Sequence, residues 1–236
     1  MRHPDAVVAA MYRTPAIPIR DLFARFKAGL AAADDFRGGP FATPGFEERF
    51  EAGDETVLRP LLLLAHYKTE EEHGLNMLWG PIIRHHESPG GESCALELET
   101  IAWVPGQAGI QLCWDVSLHI LRPCLGTVEP DVAAVNGYQY SRLPLPRGRE
   151  LGDSTSLPSL FTPWMFIGGA RLDEGRRQRL LALPAFRVEP FGSGIIIQAV
   201  EDLSSDPDPR FIEALQEIPN PTPIQYLQVR PRVFRS

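Results

Sequence analysis

Cysteine is scarce in this chain. Its 236 residues include three cysteines, Cys94, Cys113 and Cys124, and no two of them form a CxxC pair. An odd number without that spacing argues against a disulfide framework and against a structural zinc site. We predict that all three are buried, reduced thiols, because such cysteines behave as small apolar side chains. A reactive thiol is the alternative.

Long apolar runs are absent as well. Segments such as Leu61–Ala65 are far shorter than the roughly 20 residues that a membrane-spanning helix needs. The amino terminus, Met1–Asp5, leads into one short apolar segment, which is too short and too acidic for a secretory signal peptide. We therefore expect a cytoplasmic protein that does not enter a membrane.

Basic residues are outnumbered by acidic ones. Lys and Arg together number 23, Asp and Glu number 30, and the net charge is −7. Direct binding to nucleic acid is disfavoured, because phosphates require a basic surface. The same charge suits a protein partner that is itself basic.

Motifs for nucleophilic catalysis and phosphate binding are lacking. The chain has no GxSxG nucleophile elbow. Its glycine clusters, Gly168-Gly169 and Gly192-Ser193-Gly194, have neither the Lys-Ser/Thr nor the GxGxxG pattern that holds phosphate at the start of a helix. These absences favour a function other than acyl or phosphoryl transfer.

The best case for an enzyme is a group of histidines, His66, His73, His85 and His86. Such a group supplies metal ligands in some hydrolases, so a metal-dependent hydrolase is one alternative. However, neither HExxH nor HxH spacing occurs, and adjacent histidines on a strand point to opposite faces. We expect solvent-facing histidines beside a turn, no metal, no cofactor and no enzymatic activity.

The strongest strand signals lie between Thr162 and Leu203. Trp164–Ile167 and Ser193–Glu201 are short, apolar and bounded by glycine, proline or charge, which is typical of strands buried on both faces. We predict that they lie in the middle of a sheet. Val7–Tyr12 is predicted as an outer strand, and Gln225–Phe234 as a last edge strand.

Helical periodicity is clear in three places and ambiguous in a fourth. A stripe formed by Ile19, Leu22, Phe23, Phe26 and Leu30 predicts an amphipathic helix. Asp173–Leu183 and Asp208–Leu215 also predict helices, the latter with an Asp cap and a proline at its first position. Ile110–Leu125 fits both strand alternation and a helical stripe.

These elements together predict an α+β fold: a mixed, largely antiparallel sheet with a few short packed helices. The 23 prolines divide the chain into short elements. Since no repeat, low-complexity tract or linker is evident, we predict a single domain over residues 1–236.

Two acidic clusters and one tryptophan are the candidate contacts for a basic partner. The first cluster is Glu70, Glu71 and Glu72, and the second is Asp202, Asp206 and Asp208. Carboxylates of this kind steer the association of a basic protein. Trp79 is a candidate interface anchor, whereas Trp164 is expected in the core.

Several segments of packing and turn residues follow one another in a characteristic order: Leu22–Leu30, Glu129–Val135, Pro163–Ile167, Arg187–Ile197 and Asp206–Pro209. This order of elements resembles the immunity protein 52 family of bacterial polymorphic-toxin systems. The similarity runs from Val7 to about Leu215 and departs from the family over Phe41–Ser93.

This resemblance implies a small antidote that binds one cognate toxin and blocks it in a stoichiometric complex. The family is associated with nuclease toxins of a restriction-endonuclease fold, often delivered by type VI secretion, and it supplies no catalytic residues to carry over. An adaptor or chaperone that loads the effector without neutralising it is the alternative. The resemblance leaves open which toxin surface is bound and whether the antidote is a monomer or a dimer.

Overall fold

A computed structural model gives the architecture of the chain. It describes residues 106–137 and 155–230, a few positions between residues 21 and 52, Glu150, and the backbone of five strands at 6–15, 63–68, 74–79, 82–88 and 91–102. Asp21, Ala24, Arg25, Ala28 and Gly29 are helical, in agreement with the helix predicted there. The apolar stripe on which that prediction rests lies outside the described residues.

Strands and helices alternate irregularly along the chain, as expected for an α+β fold. The strands are β1 Ala6–Pro15, β2 Leu63–Lys68, β3 Gly74–Trp79, β4 Ile82–Ser88, β5 Gly91–Ala102, β6 Val132–Gly137, β7 Leu160–Phe161, β8 Trp164–Ile167, β9 Arg187–Phe191, β10 Gly194–Gln198 and β11 Gln225–Tyr226. Among the helices whose bounds the structure gives, we label α1 Gly106–Val128, α2 Glu174–Leu181 and α3 Pro209–Gln216, and Gly169–Arg171 is a 3₁₀ turn.

Seven strands form the main sheet, in the order β4-β5-β1-β6-β8-β10-β9, with antiparallel pairing throughout. The predicted α+β class is therefore confirmed. The prediction of β1 as an outer strand is wrong, because β1 pairs with β5 on one side and with β6 on the other.

Strands β8 and β10 are buried along their whole length, as predicted. They are interior strands, but β10 lies next to the edge strand β9 and not at the centre of the sheet. Alternate residues point to opposite faces, so Met165 and Ile197 enter the main core cluster while Phe166 and Ile196 face the other way.

The ambiguous segment Ile110–Leu125 is helical, as part of α1. Its buried positions recur every three or four residues, which fits one stripe of a helix and not the alternation of a strand. Among the described side chains of α1, the buried ones are Ile110, Cys113, Trp114, Ser117, Leu121, Cys124, Leu125 and Val128. The helix lies against β1 and β5. Cys113 and Cys124 are buried and not disulfide-bonded, as predicted.

Helices α2 and α3 pack on the opposite face of the sheet. Each helix begins with an aspartate cap. The Asp173 carboxylate accepts a hydrogen bond from the Arg176 N–H, and the Asp208 carboxylate accepts one from the Arg210 N–H. Pro209 is the first residue of α3, as predicted. The apolar side chains that join these helices and the following turns to the sheet include Leu180, Leu183, Phe211, Leu215 and Ile218.

A buried ion pair ties three segments of the chain together. The Arg171 guanidinium, which is 0% exposed, donates from Nε and Nη2 to Asp131 Oδ2 at 3.2 and 2.8 Å. Its Nη1 donates to the Ser156 carbonyl oxygen at 2.6 Å. The pair therefore fixes the 3₁₀ turn after β8 to the start of β6 and to the loop before β7.

The last predicted strand is shorter than expected. Only Gln225–Tyr226 is a strand within the part of Gln225–Phe234 that the structure describes, and it pairs in parallel with β7. Within the described part of the chain, no helix has both the length and the apolar character needed to cross a membrane.

Candidate functional site

A groove runs between α1 and the end of the main sheet formed by β8, β10 and β9. The two walls come from distant parts of the sequence, since α1 ends at Val128 and β9 begins at Arg187. Side chains that point away from the main core line its floor. Two pockets open along this groove, and we call them the polar pocket and the glycine pocket.

The polar pocket has a volume of about 250 Å³ and carries both signs of charge. Helix α1 contributes Asp115, His119 and Arg122, which are spaced three and four residues apart and therefore share one face. The complete lining is Asp115, Leu118, His119, Arg122, Trp164, Arg187, Glu189, Ile196 and Gln198. Its floor contains Trp164, which is buried as predicted.

Arg122 reaches across the groove from α1 to the edge strand. Its Nη1 lies 3.0 Å from Glu189 Oε1, and its guanidinium carbon lies 5.9 Å from the centre of the Phe191 ring. An arginine that pairs with a carboxylate and stacks on an aromatic face uses both its charge and its planar shape. Because Arg122 lines the polar pocket and Phe191 the glycine pocket, this contact marks the boundary between them.

The glycine pocket is the larger of the two, at about 390 Å³, and four of its lining residues are glycines. The lining residues are Leu125, Gly126, Glu129, Pro130, Asp131, Phe166, Gly168, Gly169, Ala170, Phe191, Gly192 and Ser193. A β-carbon at Gly168 would lie 2.7 Å from the Pro130 carbonyl oxygen, and one at Gly169 would lie 2.7 Å from Ser193 Cβ. Glycine is needed at both positions because the backbone and neighbouring side chains come so close.

An acidic cluster stands at the Asp115 end of the polar pocket. It consists of Asp115 from α1 and of Asp202 from the loop after β10, whose charge acts on Asp115, together with the exposed Glu201 that precedes Asp202 in that loop, and we call it the acidic end. The loop is anchored to the helix because Trp114 Nε1 donates to the Glu201 carbonyl oxygen at 3.1 Å. Burial raises the pKa of the Asp115 carboxyl; the hydrogen bond from Gln111 opposes this change and the charge of Asp202 adds to it.

Asp202, one of the predicted partner-binding residues, also holds its own loop. Its Oδ1 accepts hydrogen bonds from the Ser204 N–H at 2.6 Å and the Ser205 N–H at 2.9 Å. Partial burial acts to raise the pKa of Asp202, but the hydrogen bonds from Ser204 and Ser205 outweigh it, so the pKa is lowered. The carboxylate therefore remains ionised and fixed in position.

The other two predicted residues of this cluster are paired with arginines. Asp206 forms an exposed ion pair with Arg230, and Asp208 forms one with Arg210 at 2.6 Å. Hydrogen bonding from Arg210 lowers the pKa of Asp208, which also caps α3. Because each carboxylate has a neighbouring guanidinium, these two residues add little net negative charge to the surface.

The remaining predicted contacts fall in less described parts of the chain. Glu70, Glu71 and Glu72, as well as His73, lie outside the described residues. Trp79 ends β3, where its backbone pairs with Leu63, and its side chain is not among those described. The same holds for the side chains of His66 in β2 and of His85 and His86 in β4. Among the residues that are described, no group of three or more His, Cys, Asp or Glu side chains could hold a metal ion.

The main residues that sequence reasoning missed are on α1. Asp115 and Arg122 were not singled out, because Ile110–Leu125 was compatible with a strand as well as a helix. The helical interpretation alone places Asp115, His119 and Arg122 on one polar face, opposite the apolar stripe. No sequence pattern points to Glu189, because its ion pair with Arg122 depends on how β9 packs against α1.

Comparisons with known proteins give little further information. No family model and no curated protein sequence matches the chain. Its resemblance to the immunity protein 52 family therefore has no family match behind it and stays a prediction. Among solved structures, the chain is similar to a Pseudomonas aeruginosa T6SS protein, with a TM-score of 0.44 and 13% sequence identity, over 89% of this chain and 73% of that chain. A likeness at this level establishes neither a shared fold nor a shared activity.

Proposed function

We propose that this protein is a non-enzymatic, cytoplasmic immunity protein that binds and neutralises a basic nuclease toxin of a type VI secretion system. The observation that carries the proposal is the acidic end of the groove. Two distant segments, α1 and the loop after β10, bring Asp115, Glu201 and Asp202 together there, and Asp115 is held where burial and a neighbouring charge oppose its ionisation. The resemblance in sequence and the net charge of −7 point to the same kind of partner.

The physical basis is charge complementarity. A nuclease presents a basic cleft to the phosphates of its substrate, and an acidic protein is attracted to the same cleft. Exposed charges at an interface chiefly raise the association rate, and this effect weakens as salt is added. The acidic end is suited to this role, because Asp115 and Glu201 are exposed while Asp206 and Asp208 are each offset by an arginine.

The decisive experiment is a nuclease assay of the neighbouring gene's product, with and without an equal molar amount of this protein. We expect DNA cleavage to be lost and a stable 1:1 complex to form. Undiminished cleavage despite binding would instead favour the effector-loading adaptor. If the two proteins do not bind, the antidote hypothesis fails.

Variants then locate the contact. The double change Asp115→Asn with Glu201→Gln is expected to slow association at low salt more than it speeds dissociation, because it removes charge from the acidic end. Asp206→Asn is the matched control, since it also removes one exposed carboxylate but one that already has Arg230 beside it. Equal association rates for the double variant and the unmodified protein at low salt would exclude the acidic end as the steering surface.

A further inference from the structure

Three side chains stand in one row across the sheet side of the polar pocket. Gln198 of β10 pairs with Trp164 of β8 on one side and with Arg187 of β9 on the other. Directly opposed residues on neighbouring strands point to the same face of the sheet, with β-carbons about 4.5–5.5 Å apart. All three line the pocket, and Asp115 of α1 lines it from the helix side. Polar groups from four separate elements therefore meet around one small volume.

Trp164 supplies a hydrogen-bond donor that has no acceptor. The residue is only 4% exposed, yet its indole N–H donates to no acceptor in the described part of the chain. The atom is not sealed off, since Asp131 Oδ1 is the only fully enclosed side-chain nitrogen or oxygen without a partner among the described residues. Buried indole N–H groups normally have an acceptor, as that of Trp114 has in the Glu201 carbonyl oxygen. The Trp164 N–H is therefore available to an acceptor that enters the pocket.

Gln198, beside Trp164, supplies an acceptor that has no donor. Its Nε2 donates to the carbonyl oxygens of Val200 and Glu201, at 3.0 and 3.2 Å. Because both partners are acceptors, the amide nitrogen must face them, and Oε1 receives no hydrogen bond from the described residues. Gln198 is 7% exposed, and its Oε1 is not fully enclosed either. An unpartnered donor and an unpartnered acceptor, each on a largely buried side chain, therefore lie next to one another.

The charged groups of the pocket leave one cation and one anion unpaired. Arg122 and Glu189 pair with each other, whereas Arg187 is exposed and forms neither an ion pair nor a hydrogen bond with any described residue. Asp115 accepts a hydrogen bond from Gln111 and has no cationic partner among the described residues. Burial raises the pKa of its carboxyl, as expected where the charged form has no counter-ion. The pocket therefore offers one free charge of each sign.

We infer that the polar pocket binds a small zwitterion, an α-amino acid with an apolar side chain. The carboxylate of the ligand accepts hydrogen bonds from Trp164 Nε1 and from Arg187. Its ammonium group donates to Gln198 Oε1 and faces Asp115. Each of the four unpartnered groups is satisfied in this arrangement, and the net charge of the pocket does not change on binding.

A zwitterion fits the pocket better than an ion of either sign. An anion without an ammonium group would meet Asp115 with nothing to offset the repulsion, and a cation without a carboxylate would leave the Trp164 N–H without an acceptor. Leu118 and Ile196 line the same pocket and give the ligand's side chain an apolar surface. The volume of about 250 Å³ lies below the roughly 300–1,000 Å³ typical of pockets for drug-sized ligands, so the ligand is smaller than these.

The test uses the full-length protein, with the indole N–H as the reporter. The four tryptophans give four indole resonances in ¹⁵N-labelled protein, and Trp164→Phe identifies that of Trp164 by its loss. L-valine, L-leucine and L-methionine are titrated in turn. We expect at least one of them to shift the Trp164 resonance saturably, with half-saturation on the order of 0.1–1 mM for a ligand of about eight or nine non-hydrogen atoms. The Trp114 resonance should move less, because that N–H is already bonded.

Two derivatives of the tightest-binding amino acid test its two charges. The N-acetyl derivative lacks the ammonium group, and the amide derivative lacks the carboxylate. Each should bind roughly tenfold more weakly than the parent, because a hydrogen bond involving a charged group is lost. The inference is overturned if none of the three amino acids gives a saturable shift, or if either derivative binds as tightly as its parent.

Substitutions connect the binding to the pocket. Arg187→Gln should weaken amino-acid binding by about tenfold, whereas the matched control Arg179→Gln, which removes an exposed arginine of α2, should leave it unchanged. Asp115→Asn should weaken binding of the amino acid but not of its N-acetyl derivative, which has no ammonium group to face the carboxylate. Misfolding would weaken both ligands alike. Equal binding by the Arg187 and Arg179 variants would show that the ligand lies elsewhere.

The inference does not rest on the proposed function, and the two can fail separately. If an amino acid binds in the polar pocket but the toxin is not neutralised, the pocket stands and the antidote proposal falls. If the toxin is neutralised while no amino acid shifts the Trp164 resonance, the antidote proposal stands and the pocket assignment falls.

Discussion

Replacing Asp131 with asparagine should destabilise the protein far more than replacing an exposed aspartate. The asparagine side chain would keep the shape and an acceptor oxygen, but it would leave the Arg171 guanidinium, which is 0% exposed, without its counter-ion. Removing one partner of a buried ion pair costs about 3–5 kcal/mol, because the remaining charge is desolvated and uncompensated. This is a large part of the roughly 5–15 kcal/mol by which native proteins are stable.

Urea unfolding followed by tryptophan fluorescence measures the effect, since Trp114 and Trp164 are both buried. With an m value of about 3 kcal/mol/M, the expected loss lowers the midpoint by roughly 1–1.7 M urea. Asp206→Asn is the control: its pair with Arg230 is exposed, and such pairs contribute only about 0–1 kcal/mol. The reasoning would be refuted if Asp131→Asn lowered the midpoint no more than Asp206→Asn does.

A double variant separates the charge effect from packing. Asp131→Asn combined with Arg171→Met removes both charges, so the penalty for a lone buried cation disappears. Recovery should be partial, because the Ser156 carbonyl oxygen then loses the Arg171 donor at 2.6 Å, and a buried acceptor without a donor costs about 1–3 kcal/mol. A double variant less stable than Asp131→Asn alone would show that Arg171 acts mainly by packing.

Two further predictions concern stability. Asp115→Asn should raise the urea midpoint at pH 7, because the raised pKa of Asp115 means that its charged form is disfavoured in the folded state. This gain in stability should shrink as the pH falls through the raised pKa. It should vanish below the ordinary value of 3.8, where Asp115 is protonated in both the folded and the unfolded protein. A gain that persists at pH 3 would contradict this. Gly194→Ala should lower the free energy of unfolding by about 1–3 kcal/mol, because the added β-carbon would lie 2.4 Å from ring atoms of Phe166. The control is Gly175→Ala in α2, whose β-carbon meets only Asp173 Oδ1 at 3.5 Å and which should be neutral or stabilising. Equal urea midpoints for the two variants would count against the packing of β8 against β10.

The parts of the fold that could be predicted are those specified by local chemistry. Asp173 and Asp208 mark helix starts because their carboxylates bond to N–H groups two or three residues ahead. Trp164–Ile167 and Gly194–Gln198 are buried strands because every residue in them is suited to an apolar environment. None of these inferences requires knowledge of what lies next to the element.

Position within the sheet could not be predicted in the same way. Val7–Tyr12 was expected at an edge and lies between two strands, while β10 was expected near the centre and lies beside the edge. An apolar run shows that a strand is covered on its faces, but the order of strands depends on long-range pairing. Pro190 was the available clue: in β9 it stands opposite Ile195, and proline in a sheet is confined largely to edge strands.

The candidate site shows why residue type alone could not identify which acidic residues are available to bind a basic partner. Asp202, Asp206 and Asp208 look equivalent in sequence, yet only Asp202 adds its charge to that of Asp115, while the other two are balanced by Arg230 and Arg210. The Asp115 carboxylate is expected to lower the stability of the folded protein, so its presence calls for a functional explanation such as binding. If Asp115→Asn is more stable and associates more slowly with the basic toxin, the stability lost by having a carboxylate at Asp115 is explained by its role in binding. If it is more stable and associates equally fast, the acidic end has no part in recognition.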